Sequence, residues 1–151
     1  MTVSVLSAAK HLAKKSNWTL SNLELQKILY LAHMVYMGRH GGEPLVDGLF
    51  EAWDYGPVHP QLYHRAKVYG ADPVGNVFHD VPELEDGPER EILERAYQAL
   101  GNTGPGRLVR ATHQSGGAWD ANYIPGARNR VIPNEQILSE YEERRGAPAR
   151  T

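Results

Sequence analysis

The 151 residues include no cysteine. That excludes disulfides, thiolate metal sites and a cysteine nucleophile, and leaves the redox compartment open. A long apolar run is also missing. Between Met1 and Lys15 the apolar residues are interrupted by Lys10, His11, Lys14 and Lys15, so no secretory segment forms. No window approaches the ~20 apolar residues of a membrane span. These absences predict a cytoplasmic protein with no membrane partner. A dominant charge sign is lacking too: 16 basic residues oppose 18 acidic ones, for a net charge of -2. Binders of nucleic-acid backbones usually carry a basic field over the whole domain, so a nucleic-acid partner is not expected. What is present is ordinary for a globular chain, 41% hydrophobic and 23% charged residues, in a length that suits one domain.

Periodicity predicts a mainly α fold. Val5, Ala8, Ala9, Leu12 and Ala13 recur at helical spacing over Ser4 to Lys15. Ser21 and Glu24 have the spacing of a capping box, with Leu20 and Leu25 placed as a hydrophobic staple. The central helix they start carries Leu25, Ile28, Leu29, Ala32 and Val35 on one stripe, with Gly38 as its expected left-handed end. Leu45-Val46 and Leu49-Phe50 flank Asp47-Gly48, which predicts a β-hairpin whose second strand runs toward Trp53 before Tyr55-Gly56-Pro57 breaks it. Further helices are expected from Pro60 to near Gly70, Pro88 to Leu100, Pro105 toward His113, and Pro133 to Arg145. Ala71 to Gly87 reads as a connection, and Trp119 and Tyr123 fall in irregular chain. The expected architecture is a compact single-domain helical bundle with a small β-hairpin over residues 1–145, followed by a disordered tail, 146–151.

Candidate chemistry is sparse. There are seven histidines, yet His59 and His64 lie five apart across a predicted helix start, and no His-Glu-x-x-His spacing occurs. No metal site or cofactor is expected from them. His113, at a predicted helix C-terminus, is placed to stabilise free carbonyls. Ser115-Gly116-Gly117 lacks the strand–turn–helix setting of a nucleophile elbow. The glycines between Gly101 and Gly106 are explained by the end of one helix and the start of another, and Glu51 and Asp54 have no evident partner carboxylate. No catalytic residue emerges. The aromatics are more informative: Trp53, Tyr55, Tyr63, Tyr69, Trp119 and Tyr123 gather around the breaks between helices. Such residues fill cores and also anchor interfaces, and Trp53 and Trp119 read first as core.

Leu25 to Tyr30, then Glu51 to Val58, then Pro60 to Tyr63, and late in the chain Ala111-Thr112-His113 through Trp119 follow one another in an order that resembles the Panacea-domain antitoxin family, the SocA- and GepA-like phage-associated proteins. Leu25-Gln26-Lys27-Ile28-Leu29-Tyr30 is similar to its Leu-Gln-Lys-Leu-Leu-Tyr signature, and Glu51-Ala52-Trp53-Asp54-Tyr55-Gly56-Pro57-Val58 to its Glu-Ala-Trp-x-Tyr-Gly-Pro-Val block. Pro60 to Tyr63 follows as Pro-x-x-Tyr, and Ala111-Thr112-His113 through Trp119 resembles a Leu-Thr-His…Pro-Trp element. Ala111 stands in place of the leucine, and Gly117-Ala118 where proline often precedes the tryptophan. The resemblance implies a compact helical antitoxin that neutralises a cognate toxin by direct binding, with some members handing the toxin to a ClpXP-type protease. It marks Leu25, Gln26, Lys27, Tyr30, Trp53, Tyr55, Gly56, Pro57, Tyr63, His113 and Trp119 as motif positions, structural or toxin-binding.

Gln26 and Lys27 flank the buried stripe and are placed to hydrogen-bond the loops that follow, so a scaffold role is favoured for them. The toxin surface is expected on exposed aromatic and charged positions near the motif blocks. Two other classes compete. A DNA-binding autorepressor lacks a clear helix-turn-helix and a basic charge; Arg128 and Arg130, like Arg144-Arg145, read as solvated residues. A metal-dependent enzyme would rest on His59, His64 and His113. The aromatic content is compatible with a dimer and does not require one.

Overall fold

The computed structural model describes residues 1–146. Its first helix, α1 (Val5–Lys15), is capped by the Ser4 side chain, which accepts from the backbone N–H groups of Leu6 and Ser7. The central helix, α2 (Asn22–Arg39), begins at the expected capping box: the Ser21 hydroxyl accepts from Glu24 N at 3.2 Å, and the Glu24 carboxylate from Ser21 N at 3.0 Å. Leu20 and Leu25 are both buried beside it, consistent with the staple.

The bury-one-stripe expectation understates this helix. Tyr30, Met34, Tyr36 and Met37 are buried as fully as Leu25, Ile28, Leu29 and Ala32 of the stripe, while Val35 is only partly buried, because α2 is surrounded. Around it pack α1, α3 (Pro60–Ala66), α4 (Pro88–Leu100), α5 (Pro105–Thr112) and α7 (Asn134–Arg144). A helix buried on most sides needs apolar residues on most sides.

Gly38 does not end α2. It sits inside the helix, where a Cβ would lie 2.1 Å from the Tyr141 ring of α7. The chain turns at Gly41, φ +65°, and Gly42 N donates to Met37 O at 2.8 Å, the long bond of a Schellman closure. One glycine therefore serves helix packing, and the other the left-handed turn.

The strands also lie elsewhere than expected. The hairpin pairs β1 (Phe50–Trp53) with β2 (Gly56–Val58) around Asp54-Tyr55, so Gly56-Pro57 belongs to a strand instead of ending one. A two-residue strand, β3 (Val131–Ile132), completes an antiparallel sheet of order β2-β1-β3. Pro57 is tolerated because β2 is an edge strand, where a missing N–H is harmless. Asp47-Gly48 does turn the chain, but for another purpose. Val46 forms a parallel bridge with Val3, and the Asp47 carboxylate accepts from Val5 N at 3.0 Å, reinforcing the start of α1.

Trp119, expected in irregular chain, lies inside a short helix, α6 (Ala118–Asn122), and Tyr123, expected there too, is its C-terminal cap. Five residues gave periodicity too little to register. The helix is held from outside by Glu140 of α7, a buried carboxylate that accepts from Ala118 N at 2.8 Å and pairs with Arg144 Nε at 2.8 Å. Arg144 continues to the carbonyl of Ala111. Ala71 to Gly87 is a connection, as expected, strapped down by Lys10 Nζ on Val81 O at 2.7 Å and by buried Val74 and Phe78. The tail expected at 146–151 falls outside the described residues beyond Gly146.

Gly38 and Gly41 make a paired test. Gly38→Ala should destabilise the protein by about 1–3 kcal/mol through overpacking against Tyr141. Gly41→Ala should cost on the order of 1 kcal/mol through its positive φ. Combining Gly38→Ala with Tyr141→Ala should recover part of the first loss and none of the second, as read by urea unfolding.

Candidate functional site

Two consecutive residues of α2 reach across to β2 and define a cleft. The Gln26 side-chain amide treats His59 as a strand would. Its Oε1 accepts from His59 N at 2.7 Å, and its Nε2 donates to His59 O at 3.2 Å. Lys27 is 1% exposed, and its ammonium donates to Pro57 O at 2.8 Å. Burial pushes its pKa down from 10.5 to about 7. Gly56, at φ +114°, makes room for this reach: a Cβ there would lie 2.8 Å from both Lys27 Cε and Thr112 Oγ1. Gln26 and Lys27 thus bond the chain around β2, the loops that follow the central helix.

The cleft in front of them holds about 260 Å³ and is lined by Asn22, Gln26, Lys27, Trp53, Tyr63 and Arg128, among others. Trp53 and Tyr63 meet edge to face with centroids 4.7 Å apart. The Arg128 guanidinium lies 4.4 Å from the Trp53 ring centroid and 5.7 Å from that of Tyr63, a cation–π placement. Tyr55, also on the lining, is 71% exposed. Asp54 ties down the loop that carries Arg128 by accepting from Tyr123 Oη at 2.7 Å and Gly126 N at 3.0 Å. Those hydrogen bonds, from Gly126 first and then Tyr123, hold its carboxyl below the usual range.

Behind Trp53 runs a stack of rings. His113 lies 3.7 Å from Trp119 at an interplanar angle of 10°, and Trp119 stacks on Tyr123 at 4.4 Å. Trp119 Nε1 donates to Trp53 O at 2.8 Å, joining the stack to the sheet. The His113 side chain is thus spent on stacking, while its backbone N–H closes α5 through Val109 and Arg110. Burial, then repulsion from Lys27, lowers its pKa. Tyr30 is fully buried and meets Phe50 edge to face at 5.2 Å. Burial raises the pKa of its hydroxyl.

Among the motif positions, the structure brings Gln26, Lys27, Trp53, Tyr55 and Tyr63 to one cleft. Gly56 and Pro57 form its back, and His113 and Trp119 support it. Leu25 and Tyr30 lie in the core. Arg128, Asn22 and the Asp54–Tyr123 latch were missed. Arg128 looked like a solvated arginine, and no local pattern connects it to Trp53.

His59, His64 and His113 have separate tasks. His59 Nε2 is 2.8 Å from Asp47 O, His64 is exposed beside Tyr63, and His113 stacks on Trp119. Among the described residues, no group of three or more His, Asp or Glu side chains is arranged to hold a metal ion. Nor is any helix of the described residues long and apolar enough to cross a membrane.

This helical scaffold, with its motif-lined cleft, belongs to the SocA-like antitoxin, Panacea-domain family, whose model matches residues 25–120. The chain is similar to Antitoxin SocA of Caulobacter vibrioides (strain NA1000 / CB15N), with 37% identity over 111 residues. That alignment covers 67% of this chain and 58% of the relative, so the chain spans less than two thirds of the relative's length. No solved structure matches the chain.

The core histidine His33 gives the site's surroundings a pH dependence. Its Nδ1 accepts from Val46 N at 3.4 Å, and its Nε2 is 3.0 Å from Asn134 Oδ1. Burial lowers its pKa from 6.5 to about 4. Between those values the unfolded chain binds the proton and the folded one does not, so stability is lost as pH falls from 6.5 toward 4. The loss from His33 should approach about 3 kcal/mol, measurable by urea unfolding across that range. In parallel, NMR should show the ring neutral down to about pH 4. Separately, Gln26→Ala strands both backbone groups of His59 and should cost about 2–4 kcal/mol.

Proposed function

We propose that this protein is an antitoxin that neutralises a partner toxin by direct protein binding, working as a stoichiometric binder in the cytoplasm and not as an enzyme. The observation that carries this reading is the convergence of Gln26, Lys27, Trp53, Tyr55 and Tyr63 on one cleft of a family-matched scaffold. Gln26 is already committed to the fold, whereas Tyr55 at the rim is exposed and Arg128 sits over an aromatic pair. Exposed tyrosine and arginine beside a partly apolar depression are the residue types that anchor protein interfaces. The name of the relative, Antitoxin SocA, agrees with this role. A finer form of the proposal adds a contact to a ClpXP-type unfoldase, through which the bound toxin is delivered for degradation.

The test is expression of the neighbouring gene alone and together with this chain, followed by co-purification. A toxic neighbour that becomes harmless and forms a stable complex is expected; a harmless neighbour that does not bind would sink the proposal. Tyr55→Ala should weaken the complex about tenfold or more while leaving Tm unchanged, since the ring has little packing to lose. Persistence of the complex without protease, with toxin loss only in its presence, selects delivery over simple occlusion.

A further inference from the structure

Lys27 is a buried amine with no countercharge among the described residues. Its ammonium has three donors, yet Pro57 O is its one hydrogen-bond acceptor among the described residues, and no carboxylate there forms an ion pair with it. A buried charge left in this state costs several kcal/mol unless it is neutralised or paired. The surroundings do not relieve it. His113, whose pKa Lys27 lowers, offers it no negative charge, and Asp54 at the rim is occupied by Tyr123, Gly126 and the field of Arg128. Yet Lys27 lines the cleft, and Arg128 lines the same cleft from the opposite loop. Arg128 makes cation–π contacts, and its N–H donors have no hydrogen-bond partner among the described residues.

We infer that the cleft is a receptor for a carboxylate of the partner protein, an acidic side chain or the chain's C-terminus, held between Lys27 at the floor and Arg128 at the rim. This rests on the binding reading above and names the chemistry the partner must bring. A carboxylate entering here supplies the countercharge that the fold withholds, and the Trp53–Tyr63 pair flanks it with an apolar wall. The free protein is left with an uncompensated amine, and the complex pairs it. Removing one member of a buried charged pair at an interface is costly, because the other charge is stranded.

The test has two independent parts. In the first, the neighbouring toxin is titrated against wild type, Lys27→Met and Arg128→Gln by calorimetry. Lys27→Met should weaken binding about tenfold or more while Tm holds or rises, because a buried charge has gone. A merely structural lysine would instead lose Tm and keep its affinity. Arg128→Gln, on an exposed loop, should weaken binding about threefold or more with no change in Tm. In the second part, the free chain labelled with ¹⁵N is titrated with acetate against chloride at matched ionic strength. Saturable shifts at Gly56 and Val58 with acetate alone, absent in Lys27→Met, support the receptor. Both variants binding like wild type, or acetate acting no differently from chloride, overturns it. Should Lys27→Met fail to fold, Arg128→Gln and acetate decide. Should the toxin not bind wild type, the antitoxin proposal has failed and acetate alone decides the cleft. Extending the toxin's C-terminus, against Asp→Asn and Glu→Gln substitutions within it, separates the two carboxylate sources.

Discussion

The Gln26 side chain bonded to both backbone groups of His59 is the constraint on which the cleft depends. A primary amide presents a donor and an acceptor with nearly the spacing of a peptide group, so one helical side chain can stand in for a neighbouring strand. It pins the far end of β2 to α2. Lys27 then meets the Pro57 carbonyl, and the pairing of Trp53 with Gly56 places the indole across the opening. Adjacent helix positions point about 100° apart, which lets residues 26 and 27 straddle the strand without competing for it. Each group bonded here is one that the edge position of β2 leaves unpaired in the sheet.

Most helices were legible because their signals are local. Ser21 with Glu24, Pro88 and Pro105 at helix starts, and the run of Ile92 and Leu93 are read within a few residues of one another. The misplaced features depend on partners distant in sequence. Asp47-Gly48 has the composition of a hairpin turn, but Val3 claims Val46, and the turn serves the helix start instead. Gly38 looked like a helix end because a glycine there is unexplained until Tyr141 is placed over it. The cleft was half legible: its motif positions were marked by resemblance, whereas Arg128 joined them only once the chain had folded back.

The histidines show why composition alone misdirects. His33 and His59 lie against Phe50, each with a ring nitrogen on a backbone or amide partner, and both have lowered pKa values because burial opposes the cation. They act as neutral polar struts between elements. Their neutrality makes the core sensitive to acid and leaves the cleft's positive character to Lys27 and Arg128.

Glu140 has a bearing on the order of events during synthesis. It caps the helix that carries Trp119, and Trp119 in turn is bonded to the carbonyl of Trp53 at the cleft wall. Residues beyond the family-matched stretch therefore help to hold the cleft wall in place. A growing chain that has reached Trp119 but not Glu140 has an α6 whose first turn lacks this acceptor. The wall of the cleft is thus complete only once α7 has packed against α6.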